Sequence, residues 1–418
     1  VKDLGETDDT GKHFDANNNF YYCPNEPLDT SAILLPNSIE ADDSNEMAAE
    51  YTETVARCTG NDRFDAHPQA NDWYETVKLN YGIDYCDWGG RSTHFEPIPD
   101  TWHKMTDILL FWAAKGVDGF RCDMAEMVPH EFWKYATEKV KAQYPHIIFI
   151  GEVYDPNQYR TYVAAGFDYL YDKVGMYDCL RDVMCGHRSA SNISQQWQAT
   201  DDIREHILYF LENHDEQRIA SDFFCGNMQK GIPALIVSAL FQRNPVMIYA
   251  GQEFGERGMD SEGFSGVDGR STIFDYWSVD AIRKGFFERS ELSAEQLQLE
   301  KDYRTILNIC NSEKAVSEGK TFDLMYANEA NEGFDNNRLF AFLRSFGNTT
   351  LLVVANFSET EAHVRVNIPA HAFDYMELTE GKKDMVDLLS GDQQTAILQQ
   401  DSPVEMVVAG LSGRIYKF

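Results

Sequence analysis

From residue 100 onward, helix-like and strand-like segments alternate, and this alternation restricts the possible folds more than any other feature of the chain. The segment DTWHKMTDILLFWAAK, residues 100–115, carries apolar residues at helical spacing, with Asp100 or Thr101 suited to cap it. GVDGFRCD follows at once, short, apolar and flanked by glycine, as a strand is. PHEFWKYATEKVKAQYP predicts a helix opened by Pro129 and closed by Pro145, and HIIFIGEVYD a buried strand. FDYLYD, IREHILYFLENHD and NPVMIYAGQEFG read as further strands, with the apolar helix GIPALIVSALFQ before the last. Strands separated by helices imply a parallel sheet. No glycine-rich phosphate fingerprint follows any of these strands, which argues against a doubly wound nucleotide-binding sheet. The expected fold class is therefore α/β, and specifically a (β/α)8 TIM barrel.

The strand ends carry the chemistry. GFRCD ends on Asp123, IFIGE on Glu152 and YFLENHD on Asp215. Asp123 and Glu152 are 29 residues apart, and Glu152 and Asp215 are 63 apart. A barrel unit averages ~31 residues, so the intervals fit one unit and then two. Parallel barrel strands all open onto one face, so the three carboxylates would converge there. Such a trio can divide the labour of acetal cleavage, one group protonating the leaving oxygen while another attacks or stabilises the sugar cation. Two other readings stay open: a magnesium or manganese site, and a purely structural cluster. Arg121 and Asp123, two apart on a strand, face the same side. They can be a structural ion pair or a nucleophile kept ionised by its neighbour.

Composition narrows the partners. With 68 Asp and Glu against 36 Lys and Arg, the formal charge of −32 suits a neutral substrate and repels nucleic acid. No apolar run reaches the ~18–20 residues of a membrane span. Eight cysteines include no C-x-x-C pair, so a zinc ribbon or thioredoxin-like site is not expected. Residues 1–95 form a loop-rich lobe, 96–318 the barrel units, and 319–418 short β-rich runs that predict a C-terminal antiparallel β-sandwich.

GVDGFRCDM, GEVYD and FLENHDEQR, in this order, resemble the nucleophile, acid/base and third-carboxylate strands of the α-amylase family of glycoside hydrolases. The likeness extends over essentially the whole chain. VKLNYG around Asn80 and HEFW at His130, Phe132 and Trp133 are similar to the neopullulanase and cyclomaltodextrinase branch. By this resemblance Asp123 is the nucleophile, Glu152 the general acid/base and Asp215 the transition-state stabiliser. Arg121 orients Asp123, and His214 hydrogen-bonds sugar hydroxyls. Glu126, where the branch usually has Asn, is a further substrate-side position, and Tyr154 and Trp277 are candidates for stacking on sugar faces. The implied activity is retaining hydrolysis of α-glucosidic bonds in starch-type glucans or maltooligosaccharides. Transglycosylation through the same intermediate, or glucan binding without chemistry, are its alternatives. The implied chemistry requires no cofactor and leaves room for a structural calcium. The family's pattern also implies that the lobe is inserted after the third strand, and that about three N-terminal barrel units precede this sequence.

Overall fold

The computed structural model describes residues 3–33, 53–73, 76–260, 267–271 and 278–418. Trp277 lies outside them. The chain divides into two compact units, one comprising residues 1–150 with 164–167 and the other 151–163 with 168–418.

In the first unit the lobe is irregular, as its composition predicts. Its only ladders among the described residues are two-residue antiparallel pairs, β1 (Tyr22–Cys23) with β2 (Ala56–Arg57) and β3 (Ile83–Asp84) with β4 (Ser92–Thr93). A small core holds it, with Tyr21, Cys23, Ala56, Cys58 and Ala66 packed under Phe14, Phe64 and Tyr85. The helix α1 (Asp100–Ala113) departs from expectation at its start. Pro99 precedes it and no side chain caps it; Asp100 is already helical. The Asp100 carboxylate is held by Lys104 Nζ (2.7 Å) and Asn19 Nδ2 (3.1 Å), tying the lobe to the helix.

β5 (Gly119–Cys122), α2 (His130–Gln143) and β6 (Ile148–Gly151) follow as one strand–helix–strand unit. Trp102 of α1 and Phe132 of α2 meet with ring centres 5.8 Å apart, and Ala136 and Val140 of α2 are also buried. Gly119 is required by close approach, since a Cβ there would lie 2.5 Å from the Ile148 carbonyl oxygen. The Ile148 N–H donates to Asp118 O at 3.0 Å across the same contact.

In the second unit, after α3 (Tyr159–Ala164), β7 (Tyr169–Tyr171), β8 (Ile207–Phe210) and β9 (Val246–Met247) pair in parallel, Leu170 with Ile207 and Tyr209 with Val246. Between them run α4 (Asp178–Met184), α5 (Asn192–Ala199) and α6 (Gly231–Leu240). Every residue of α6 is buried, which accounts for its unbroken apolar sequence. After α7 (Asp280–Phe287), α8 (Ala294–Ser312) opens with a capping box: Ser293 Oγ accepts from Gln296 N (3.1 Å), and Gln296 Oε1 from Ser293 N (3.0 Å).

Beyond the short α9 (Lys314–Ser317) the C-terminal region is antiparallel, as expected. Its main sheet holds β10 (Lys320–Asp323), β11 (Leu339–Phe346), β12 (Thr349–Asn356), β17 (Ser412–Lys417), β14 (Gly381–Asp387) and β15 (Gln393–Leu398), in that order. β13 (Ala362–Asn367) and β16 (Pro403–Val408) form a separate ribbon, and α10 (Ala370–Met376) follows β13. Arg344 on β11 is fully buried, its guanidinium donating to the carbonyls of Ala315 (3.0 Å), Phe241, Val316 and Gly319 (3.3 Å). One cation thus closes the carbonyl ends of α6 and α9 against the sheet, where an unpaired carbonyl would be costly. All eight cysteines are unbridged.

Candidate active site

The end of β5 lies in the first unit. Arg121 Nη1 is ion-paired with Asp123 Oδ1, as the two-residue spacing predicts. Asp123 directly follows the strand, and its side chain is 70% exposed. Met124, next in the chain, adopts φ 42° and ψ 46°, a left-handed conformation uncommon for a side-chain-bearing residue. That turn stops the strand, and a 3-10 turn follows over Ala125–Met127 that carries Glu126. Trp133 fastens it from α2 by donating to Ala125 O at 3.0 Å.

The other two carboxylates lie in the second unit. Glu152 directly follows β6 and is only 2% exposed. Tyr154 donates its hydroxyl proton to Glu152 Oε1 at 3.0 Å. Burial, and then the negative charges of Glu152 and Asp215, push the Tyr154 phenol far above its ordinary range. One phenol therefore feels both carboxylates, and it stays a donor at every physiological pH. Tyr154, expected to stack on a sugar, has its hydroxyl committed to the carboxylate.

Asp215 is not on the strand end that the sequence suggests. β8 stops at Phe210, and Asp215 stands on the loop beyond. Two side chains that the sequence analysis missed shape that loop. Asn213 Oδ1 accepts the N–H groups of Asp215 and Glu216, both at 2.9 Å, an Asx turn that halts the strand. Glu212 is buried against Arg218, with Oε2 2.8 Å from Nη1, and its Oε1 accepts the Ile219 N–H at 2.7 Å. Arg218 also donates to Ser271 Oγ and Ala250 O, both at 2.9 Å, and lies 4.1 Å from the Tyr249 ring centre. Residues 212–219 are thus closed into a loop that presents His214 and Asp215. His214 Nε2 lies 3.3 Å from Asp215 Oδ2. On the far side Glu216 is held by Tyr177 (3.1 Å), Lys173 (3.1 Å) and Arg181 (3.4 Å). The clue in the sequence was a pair of opposite charges six apart, directly after an apolar strand.

Glu152, Tyr154, His214 and Asp215 are therefore assembled within the second unit, while Arg121, Asp123 and Glu126 belong to the first. Among the described residues, no three His, Cys, Asp or Glu side chains are placed to share a metal ion.

The model of the α-amylase catalytic domain matches residues 98–327, more than half of the chain. The chain belongs to the α-amylase family. An α-amylase of Haloarcula japonica is 31% identical over 193 residues, 45% of this chain and 28% of that protein. Neopullulanase 2 of Thermoactinomyces vulgaris is 21% identical over 305 residues, 71% of this chain and 45% of that protein, in line with the branch read from VKLNYG and HEFW. The chain thus spans under half the length of either relative. The crystal structure of an Anoxybacillus α-amylase superposes with a TM-score of 0.58 at 17% identity, covering 79% of this chain and 65% of that one. For this α-amylase family member the fold expectation holds: a (β/α) TIM-barrel domain, with parallel strands interleaved with helices, followed by an antiparallel C-terminal domain.

Proposed function

We propose that this protein hydrolyses α-glucosidic bonds in starch-type glucans or maltooligosaccharides with retention of anomeric configuration. Glu152 protonates the leaving glycosidic oxygen as Asp123 attacks the anomeric carbon, forming a glycosyl-enzyme. The leaving sugar departs with that proton. Glu152 then takes a proton from water, whose oxygen displaces Asp123 and restores the enzyme. Arg121, ion-paired with Asp123, aims its carboxylate. Asp215 stabilises the cationic transition state, and His214 and Glu126 contact sugar hydroxyls. No cofactor enters these steps.

The observation that carries this reading is the sheltered Glu152, oriented by the Tyr154 hydroxyl in the field of Asp215. A general acid needs a fixed direction and little competing water, and both are present. The family match and the naming of relatives as an α-amylase and a neopullulanase support the substrate class.

The test is incubation with maltoheptaose, following the anomeric protons by NMR, with Glu152→Gln as control. Early products in the α configuration, lost in the variant, are expected. Products longer than the substrate would identify transfer to a sugar acceptor instead of water. A folded protein with no turnover, or early β products, would overturn the proposal.

A further inference from the structure

Away from the carboxylates, the second unit brings together Cys185 and Cys225, which are 40 positions apart in the chain, with their Sγ atoms 3.6 Å from each other. Cys185 directly follows α4, its N–H donating to Arg181 O at 3.1 Å. Cys225 stands at the far end of the loop that begins at Glu212. Its N–H donates to Ile219 O at 3.2 Å, and the Ile219 N–H is the one that Glu212 Oε1 accepts. The backbone of one residue thus connects Cys225 to the latch that presents His214 and Asp215. One turn before Cys185, α4 grips the same loop through Arg181. Its Nη2 donates to Gln217 Oε1 at 2.6 Å, and its guanidinium carbon lies 4.8 Å from the Phe224 ring centre.

Both cysteines are partly exposed, so a dissolved reagent reaches them. Cys23 and Cys58 of the lobe also adjoin each other, but each is only 1% exposed and shut away from solvent. The environment of Cys185 and Cys225 divides their roles. The hydrogen bond from Cys225 does most to hold the Cys185 thiol below its ordinary range, and the charges of His187, Arg181 and Lys230 add to it against the opposing effect of burial. The same bond pushes the Cys225 thiol up, so this sulfur keeps its proton. A thiolate that attacks and a neighbouring thiol that resolves are the two parts of thiol–disulfide exchange.

We propose that Cys185 and Cys225 are a redox-active pair, which a low-molecular-weight disulfide such as oxidised glutathione converts into an internal disulfide. The Cys185 thiolate attacks one sulfur of the reagent, forming a mixed disulfide and releasing one small thiolate. That thiolate takes the Cys225 proton, and the Cys225 sulfur attacks Cys185, forming the internal bond and breaking the mixed one. The second small thiolate leaves and takes from water the proton that Cys185 had given up. Two protein thiols are oxidised, and the reagent is reduced to two thiols. In the reduced protein α4 and the loop beyond β8 meet here through a contact; in the oxidised protein a covalent bond clasps them.

Equilibration of the full chain with reduced and oxidised glutathione, followed by peptide mapping by mass spectrometry, tests this. A Cys185–Cys225 cross-linked peptide is expected, and excess dithiothreitol should remove it. Cys225→Ser keeps the attacking thiol and removes the resolving one, so glutathione should accumulate on Cys185. Cys185→Ser should accumulate much less on Cys225. Oxidation of the parent should raise the thermal midpoint by about 5 °C, the scale of closing a loop of this length. It should also slow hydrogen exchange across residues 212–225, and neither change should occur in Cys225→Ala. None of these readouts depends on glucan turnover. A folded parent that forms no Cys185–Cys225 cross-link would overturn the pair, and a cross-link that leaves exchange across 212–225 unchanged would overturn the clasp.

Discussion

Tyr154 donates its hydroxyl to the buried Glu152 carboxylate at 3.0 Å, and the charge of Asp215 falls on the same phenol. This bond orients the Glu152 carboxylate through its Oε1 oxygen. Tyr154→Phe removes the bond while keeping the ring. Turnover of maltoheptaose should fall, by less than the ~10²–10⁴-fold that general acid–base catalysis itself contributes. The thermal midpoint should change little. Steady-state kinetics on the folded variant will check this, and unchanged kcat would show that Glu152 needs no such support.

The Glu212–Arg218 pair makes a stability prediction. Both side chains are almost fully buried, so removing one leaves the other charged and unpaired. Arg218→Met should cost about 3–5 kcal/mol, whereas replacing both partners with apolar residues should cost less. Urea unfolding of the single and double variants measures the difference.

Asp172 lies between β7 and α4, almost wholly buried, and burial raises its carboxyl to about 6. Its Oδ2 has no hydrogen-bond partner, while Oδ1 accepts from Tyr159 (3.2 Å) and Gly175 N (3.1 Å). The folded state therefore holds this proton more tightly than the unfolded state, whose value is near 3.8. Its stabilising contribution is complete below about pH 4 and is lost as pH rises through about 6, a change of roughly 3 kcal/mol. Asp172→Asn, which stays neutral, should flatten this part of the stability–pH curve. Unfolding midpoints at pH 4, 5, 6 and 7 will compare the two proteins.

Gly119→Ala tests the contact between β5 and β6. The added methyl would meet a backbone oxygen that cannot rotate away. A loss of about 1–3 kcal/mol is expected, with the Arg121–Asp123 pair displaced in consequence. A thermal midpoint equal to the parent's would show that the strands separate freely.

The local elements were readable because each depends on its own stretch of chain. The second helix runs over His130–Gln143, between the two prolines that mark it. Asp123 and Glu152 follow their strands directly, because a two-residue repeat and a glycine flank leave little choice. The unbroken apolar run of α6 already indicated a helix buried all round.

Other features depend on residues that the sequence keeps far apart. Asp100 looked like a cap, yet Lys104 and Asn19 engage it from within the helix and from the lobe. Glu212 and Asn213 end β8 five residues before Asp215, because Arg218 reaches Ala250 and Ser271, some thirty and fifty positions on. Cys185 and Cys225, 40 positions apart, meet only because the end of α4 packs against the loop beyond β8. Periodicity and spacing report which way a side chain leaves the backbone. The desolvation and pairing that turn it into an acid, a latch or a reactive thiol arise only when distant segments pack.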